Sequence, residues 1–213
     1  MPIELWFAYV LTSAVVLAIP GPTVLLVLSY SIAHGRRATL PVVTGLGAGD
    51  AVAITLSIVG LGALLAASAF WFTVIKWIGG LYLIYLGFCM IRDARQPTTT
   101  EMRTEDVTKS WRSLFASAFI VTALNPKSII FFIALLPQFV SPDQPAAPQL
   151  WILGITFVIM AMTGGTIYAL FARSIRGFLT SSRAHKIYSY SGGGLLGGAG
   201  VWALSAQRAM VES

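Results

Sequence analysis

The chain alternates long uncharged apolar runs with short polar connectors. Residues 5–35, 51–75, 144–172 and 187–207 contain no Asp, Glu, Lys or Arg. Runs of about 20 such residues predict helices that cross a bilayer. Six spans are expected: Leu5–Ala33, Thr39–Ala66, Trp71–Ile91, Ser113–Val140, Gln149–Ala172 and Ile187–Ala206. The stretch Arg92–Arg112, with Gln96-Pro97-Thr98 and mixed charges, reads as an ordinary soluble loop. A Pro-rich turn, Ser141–Pro148, joins spans 4 and 5, and a basic connector, Arg173–Lys186, joins spans 5 and 6. The chain thus reads as one membrane domain over 1–213, with a first half over about 1–95, a loop over about 92–112 and a second half over about 111–208.

Composition agrees with this pattern. Hydrophobic residues make up 56% of the 213 positions and charged residues 10%, against about 25% charged in an ordinary soluble domain. That is too little charge for a polar skin, which excludes a soluble enzyme and a disordered chain. The net charge of +6 would suggest nucleic acid in a soluble protein. Here it follows the positive-inside bias, and no nucleic acid is expected. Eleven of the fourteen basic residues lie in the connectors between spans 1 and 2, 3 and 4, and 5 and 6. This places those connectors in the cytoplasm and both termini outside it. The N-terminus lacks the basic region of a secretory signal and carries Glu4 instead, so the first span is expected to stay in the mature protein.

The lone Cys89 allows no internal disulfide. The only histidines, His34 and His185, fall in connectors and read as solvated loop residues. No metal cluster or cofactor is expected.

The two halves resemble each other at an offset of about 105 to 115 residues. Proline interrupts the first span of each, at Pro20-Gly21-Pro22 and at Asn125-Pro126. The second spans carry small residues at mid-depth, Gly47-Ala48-Gly49 and Thr163-Gly164-Gly165. The third spans carry glycine ladders, Gly79, Gly80 and Gly87 in one and Gly192 to Gly200 in the other. Three spans per half force opposite orientations, the inverted-repeat plan of many secondary transporters. The glycine spacings favour packing inside the chain over a homodimer contact, although a homodimer remains open.

Three features lie deep in the spans. The Pro20–Pro22 triplet removes two backbone donors where hydrocarbon offers no replacement, so the break is expected to line a cavity. Asp50 lies about 12 residues into span 2, roughly 18 Å along a helix and near mid-membrane. A carboxylate at that depth costs about 3 kcal/mol even on the lenient insertion scale and is a functional candidate by default. Lys127, following Asn125-Pro126, sits near mid-depth in span 4. It can pair with Asp50, hold the broken helix together, or meet a substrate carboxylate. Asn125 precedes proline and is biased away from helical geometry, which leaves its amide available to a neighbour or ligand.

These residues resemble a known family. Pro20-Gly21-Pro22, His34-Gly35-Arg36-Arg37 and the Gly47-to-Asp50 run resemble the start of LysE-type exporters, including the homoserine/threonine exporter branch. Lys76-Trp77-Ile78-Gly79-Gly80 through Gly87 is similar to that family's third span. Asn125-Pro126-Lys127, with Phe131-Phe132 and Leu136-Pro137-Gln138-Phe139, is similar to its fourth. The resemblance covers nearly the whole chain. It implies an amino-acid exporter of the cytoplasmic membrane, driven by protons, with Pro20, Gly21, Pro22, Asp50, Asn125, Pro126 and Lys127 at the motif positions. Thr23 stands where many relatives have Asn, so specificity at that position can differ.

The resulting expectation is an all-α membrane protein of six helices in two inverted three-helix repeats, with spans 1 and 4 broken at prolines. It exports a small amino acid or related zwitterion, with the broken ends meeting substrate and Asp50 carrying the coupling proton without pairing directly with Lys127. A membrane-embedded lipid-modifying enzyme and a non-transporting scaffold are the alternatives. The first is disfavoured because the spans hold no nucleophile–base or metal-ligand set.

Overall fold

The computed structural model describes residues 1–18, 22–67, 69–93, 109–172, 174 and 182–211. For Pro22, Pro126 and Lys127 the described part is the backbone. Pro20 and Gly21 lie outside the described residues, as do most of the long polar loop and of the last basic connector.

Among the described residues the fold is all-α. Its helices are α1 (Ile3–Ala18), α2 (Pro22–His34), α3 (Thr39–Ala67), α4 (Ala69–Asp93), α5 (Trp111–Ala123), α6 (Pro126–Leu135), α7 (Ala146–Leu170) and α8 (Ser182–Val211). Short 3-10 turns at Gly35–Ala38 and Leu136–Phe139 follow α2 and α6. The expected first span is therefore two helices, α1 and α2, and the fourth is also two, α5 and α6. In each case a proline is the first residue of the second piece, where its missing N–H costs nothing. Asn125 holds the N-cap position of α6, its carbonyl accepting from the amides of Ser128 at 3.0 Å and Ile129 at 3.2 Å.

The outward faces are apolar. On α4, Ile78, Leu81, Tyr85 and Phe88 are each more than half exposed, and their spacing of three and four residues puts them on one face. Ile155 and Ile159 continue the same pattern on α7. Soluble monomers rarely carry contiguous apolar surface on this scale. The hydroxyl on the α7 face is satisfied within its own helix: Thr163 Oγ1 donates to the Ile159 carbonyl at 2.8 Å. That is the arrangement a lipid-facing hydroxyl requires.

Small residues bring the helices together. The α4–α8 contact is the most extensive in the fold, with α3–α5 next. A Cβ on Gly87 of α4 would stand 2.6 Å from the carbonyl oxygen of Gly193 in α8, and one on Gly193 equally close to that of Gly87. One on Gly200 would reach the Gly80 carbonyl at 2.7 Å. Part of the α8 glycine ladder thus packs inside the chain, whereas Gly194 and Gly198 face a groove between α8 and α1.

A Cβ at Gly87 cannot be accommodated without separating α4 from α8. We expect Gly87→Val to lower stability by about 1–3 kcal/mol, read as a lower unfolding midpoint of the purified protein in detergent. An unchanged midpoint would show that the two helices do not need this approach.

Candidate functional site

The two helix breaks open on one internal cavity of about 110 Å³. A space of that size holds several waters or a small organic molecule. Its polar lining comes from Thr23 of α2, Asp50 of α3, Asn125, Ser128 of α6 and Tyr168 of α7. Phe131, Phe132 and Phe157 form an apolar wall. Phe132 and Phe157 meet edge to face, with centroids 4.8 Å apart and planes at 85°, a geometry that aromatic quadrupoles favour.

The residues around Asp50 explain the glycines beside it. A Cβ on Gly49 would lie 2.8 Å from the Cβ of Thr122 in α5, and one on Gly47 would lie 2.6 Å from Sδ of Met162 in α7. The two glycines let α5 and α7 close in on either side of the carboxylate. Asp50 itself is only 6% exposed. On α1, Tyr9 and Ser13 are fully buried, with their side chains beside each other. Tyr9 lies within electrostatic reach of Asp50.

The break in the first span also needs a partner for its freed carbonyls. The hydroxyl of Tyr168 donates to the Ala18 carbonyl at the end of α1, at 3.3 Å. Tyr168 therefore both lines the cavity and ties α7 to the broken helix. It was not singled out by sequence reasoning, and neither were Phe157, Tyr9 and Ser13. The only signal was an aromatic ring with a polar tip in an otherwise apolar span.

Of the residues read from sequence, Thr23, Asp50 and Asn125 share the cavity wall. Pro22 and Pro126 start the half-helices that reach it, and Lys127 follows in the first turn of α6. The Lys127 side chain, and the whole of Pro20 and Gly21, lie outside the described residues.

One reading is corrected. His34 is not a solvated loop residue: it ends α2, and both its ring nitrogens are shielded from solvent without a partner among the described residues. Its ring packs edge-on against Tyr30 at 6.0 Å. Lys109 Nζ donates to the Tyr30 hydroxyl at 2.9 Å and sits 4.7 Å over the centre of that ring.

Apolar-faced helices around a largely apolar cavity with a buried carboxylate in its wall define an integral membrane protein with room for a small solute. Residues 14–207 match the family described as LysE type translocator, and the chain belongs to that family. It is 37% identical to a protein of Salmonella typhimurium named homoserine/homoserine lactone efflux protein, over 98% of this chain and 100% of that one. The Salmonella typhi protein of the same name is also 37% identical, with the same coverage. An uncharacterized membrane protein of Vibrio cholerae is 38% identical over 92% of this chain and 97% of its own. No solved structure matches. The protein is a membrane transporter and not an enzyme.

Because Thr23 and Ser128 line one cavity from different helices, cysteines at both positions should crosslink. We expect Thr23→Cys with Ser128→Cys, in a Cys89→Ala background, to be joined by short or medium bifunctional reagents in membranes. Failure in a transport-active double variant would count against a shared centre.

Proposed function

We propose that the protein is a secondary exporter that moves small amino acids or related zwitterions out of the cytoplasm in exchange for protons. The observation that carries this reading is the meeting of two helix N-termini and one buried carboxylate at a single cavity. The positive ends of the two helix dipoles suit a substrate carboxylate. Asp50 suits its ammonium. The names of the relatives, which include homoserine and homoserine lactone, support a solute of this size.

The coupling follows from Asp50 having one negative charge to give. With an ammonium bound, the carboxylate stays ionised. With a proton bound, its attraction for the ammonium is gone. The two cargoes are thus mutually exclusive, and an alternating cavity that must carry one or the other exchanges them. Asp50 serves this role best if it does not pair directly with Lys127, which would hold it ionised.

Several features support six spans in two inverted repeats. Each half has a proline-started half-helix at the cavity, α2 and α6. The second helices of the halves, α3 and α7, pack together, as do the third, α4 and α8. With the basic connectors in the cytoplasm, the setting is the cytoplasmic (inner) membrane with both termini outside. A homodimer is compatible with the open glycine face of α8 and is not required by the cavity.

We expect Asp50→Asn to abolish proton-driven net export from vesicles while substrate counterflow stays measurable. Export at the wild-type rate with the same pH dependence would remove Asp50 from coupling. If Asp50→Asn fails to fold but the double variant with Lys127→Met is stable, a structural ion pair was its role. Reporter fusions near residue 100 and at the C-terminus should report opposite compartments, and a cytoplasmic C-terminus would overturn the six-span topology.

A further inference from the structure

A second cavity, of about 280 Å³, lies beyond the first along the same two helices. The central cavity runs along α2 from Thr23 to Val27 and ends on α7 at Tyr168. The second takes up on α2 at Ser31 and on α7 at Ala169. Four residues on α2 amount to about 6 Å of helix, so the two spaces are stacked in one α2–α7 cleft, with Tyr168 at the step between them.

The second cavity has its own chemistry. Arg36 supplies a guanidinium, and Ser31 and Ser174 supply hydroxyls. Ser31 is 6% exposed, and its Oγ has no partner among the described residues. Gly35, in the left-handed region at φ 65°, ends α2 and turns the chain so that Arg36 comes over the space. A side chain at that φ is strained, which is why glycine stands there. The same end of α2 carries Arg37, and Lys109 sits beside Tyr30. The positive field draws anions to this mouth.

We infer that this vestibule is a loading site for the substrate's carboxylate on the cytoplasmic side, occupied before the solute passes Tyr168 into the central cavity. Arg36 receives the carboxylate through its planar fork of donors, and Ser31 Oγ donates to it from the wall. This rests on the exporter reading above and adds a second site to it. A solute that lacks a carboxylate gains nothing from Arg36.

Homoserine carries a carboxylate and its lactone does not, so the pair tests the inference. Purified protein is reconstituted in vesicles, and the half-saturating concentration is measured with each compound on the side of the basic connectors. Arg36→Gln should raise the value for L-homoserine by about five- to tenfold at an unchanged maximal rate, and leave that for the lactone within twofold. Ser31→Ala should shift homoserine in the same direction by less. Arg37→Gln, which does not line the cavity, should change neither and so controls for connector charge. Equal effects of Arg36→Gln on both compounds, or none on homoserine, would overturn the loading site while leaving the exporter reading intact. Transport of neither compound, nor of any other small amino acid, by the unaltered protein would overturn both. A lipid phosphate is the other source of an anion here. If the effect of Arg36→Gln on homoserine vanishes in pure phosphatidylcholine and returns with phosphatidylglycerol, the site belongs to lipid and the inference falls.

Discussion

A backbone amide or carbonyl freed in hydrocarbon has no water to turn to, and that constraint shapes the centre of this protein. Prolines at positions 22 and 126 start new helices where an unbroken span would otherwise run. Each break releases backbone groups, and each must meet them from within. The Ala18 carbonyl takes the Tyr168 hydroxyl. The Asn125 carbonyl takes the first amides of α6. Breaks that need partners from other helices can only face inward, so the cavity lies where the breaks are.

The helices divide the work. The described lining of the central cavity comes from the first and fourth broken spans, α3 and α7, with none from α4 or α8. The latter two bind each other through glycine faces close enough that carbonyls nearly touch the opposing backbone. Their outer faces carry large apolar side chains such as Ile78 and Trp202. This pair is a buttress set between lipid and the cavity helices, and it owes its tightness to the absence of side chains. The glycines at 47 and 49 do the opposite work: they bring α5 and α7 up to a residue that is charged.

Much of this was legible in the chain. Absence of charge over some 20 residues marks helices that lipid must accept, and the expected span Thr39–Ala66 differs from α3 by one residue at its end. The prolines marked the breaks, because proline's missing donor is a local property of the residue. Asp50 was legible because a carboxylate deep in an apolar run is too costly to stand there without a task. What escaped were residues whose role is set by a partner on another helix. Tyr168 matters through a carbonyl 150 positions away, and Phe157 through Phe132. His34 was misread for a related reason. Its place beside a connector suggests solvent, but the ring lies at the end of α2 with both nitrogens shielded and Tyr30 against it.

On the proposed reading, the charges of the central cavity describe the solute. Two helix N-termini contribute about half a positive charge each, and Asp50 contributes one negative charge when ionised. The C-terminal ends at the same breaks are blunted, since carbonyls of Ala18, Ile120 and Thr122 already accept hydrogen bonds. What remains is close to one positive and one negative pole across a small space with an aromatic wall. That is the complement of a zwitterion. A plain anion leaves Asp50 repelled, and a cation without a carboxylate, such as homoserine lactone, answers Asp50 alone and is held less well. Protonating Asp50 erases one pole and leaves the other, so the protonated cavity holds the same solute less well. Release and coupling then have one cause, the loss of a single charge from a site built from two.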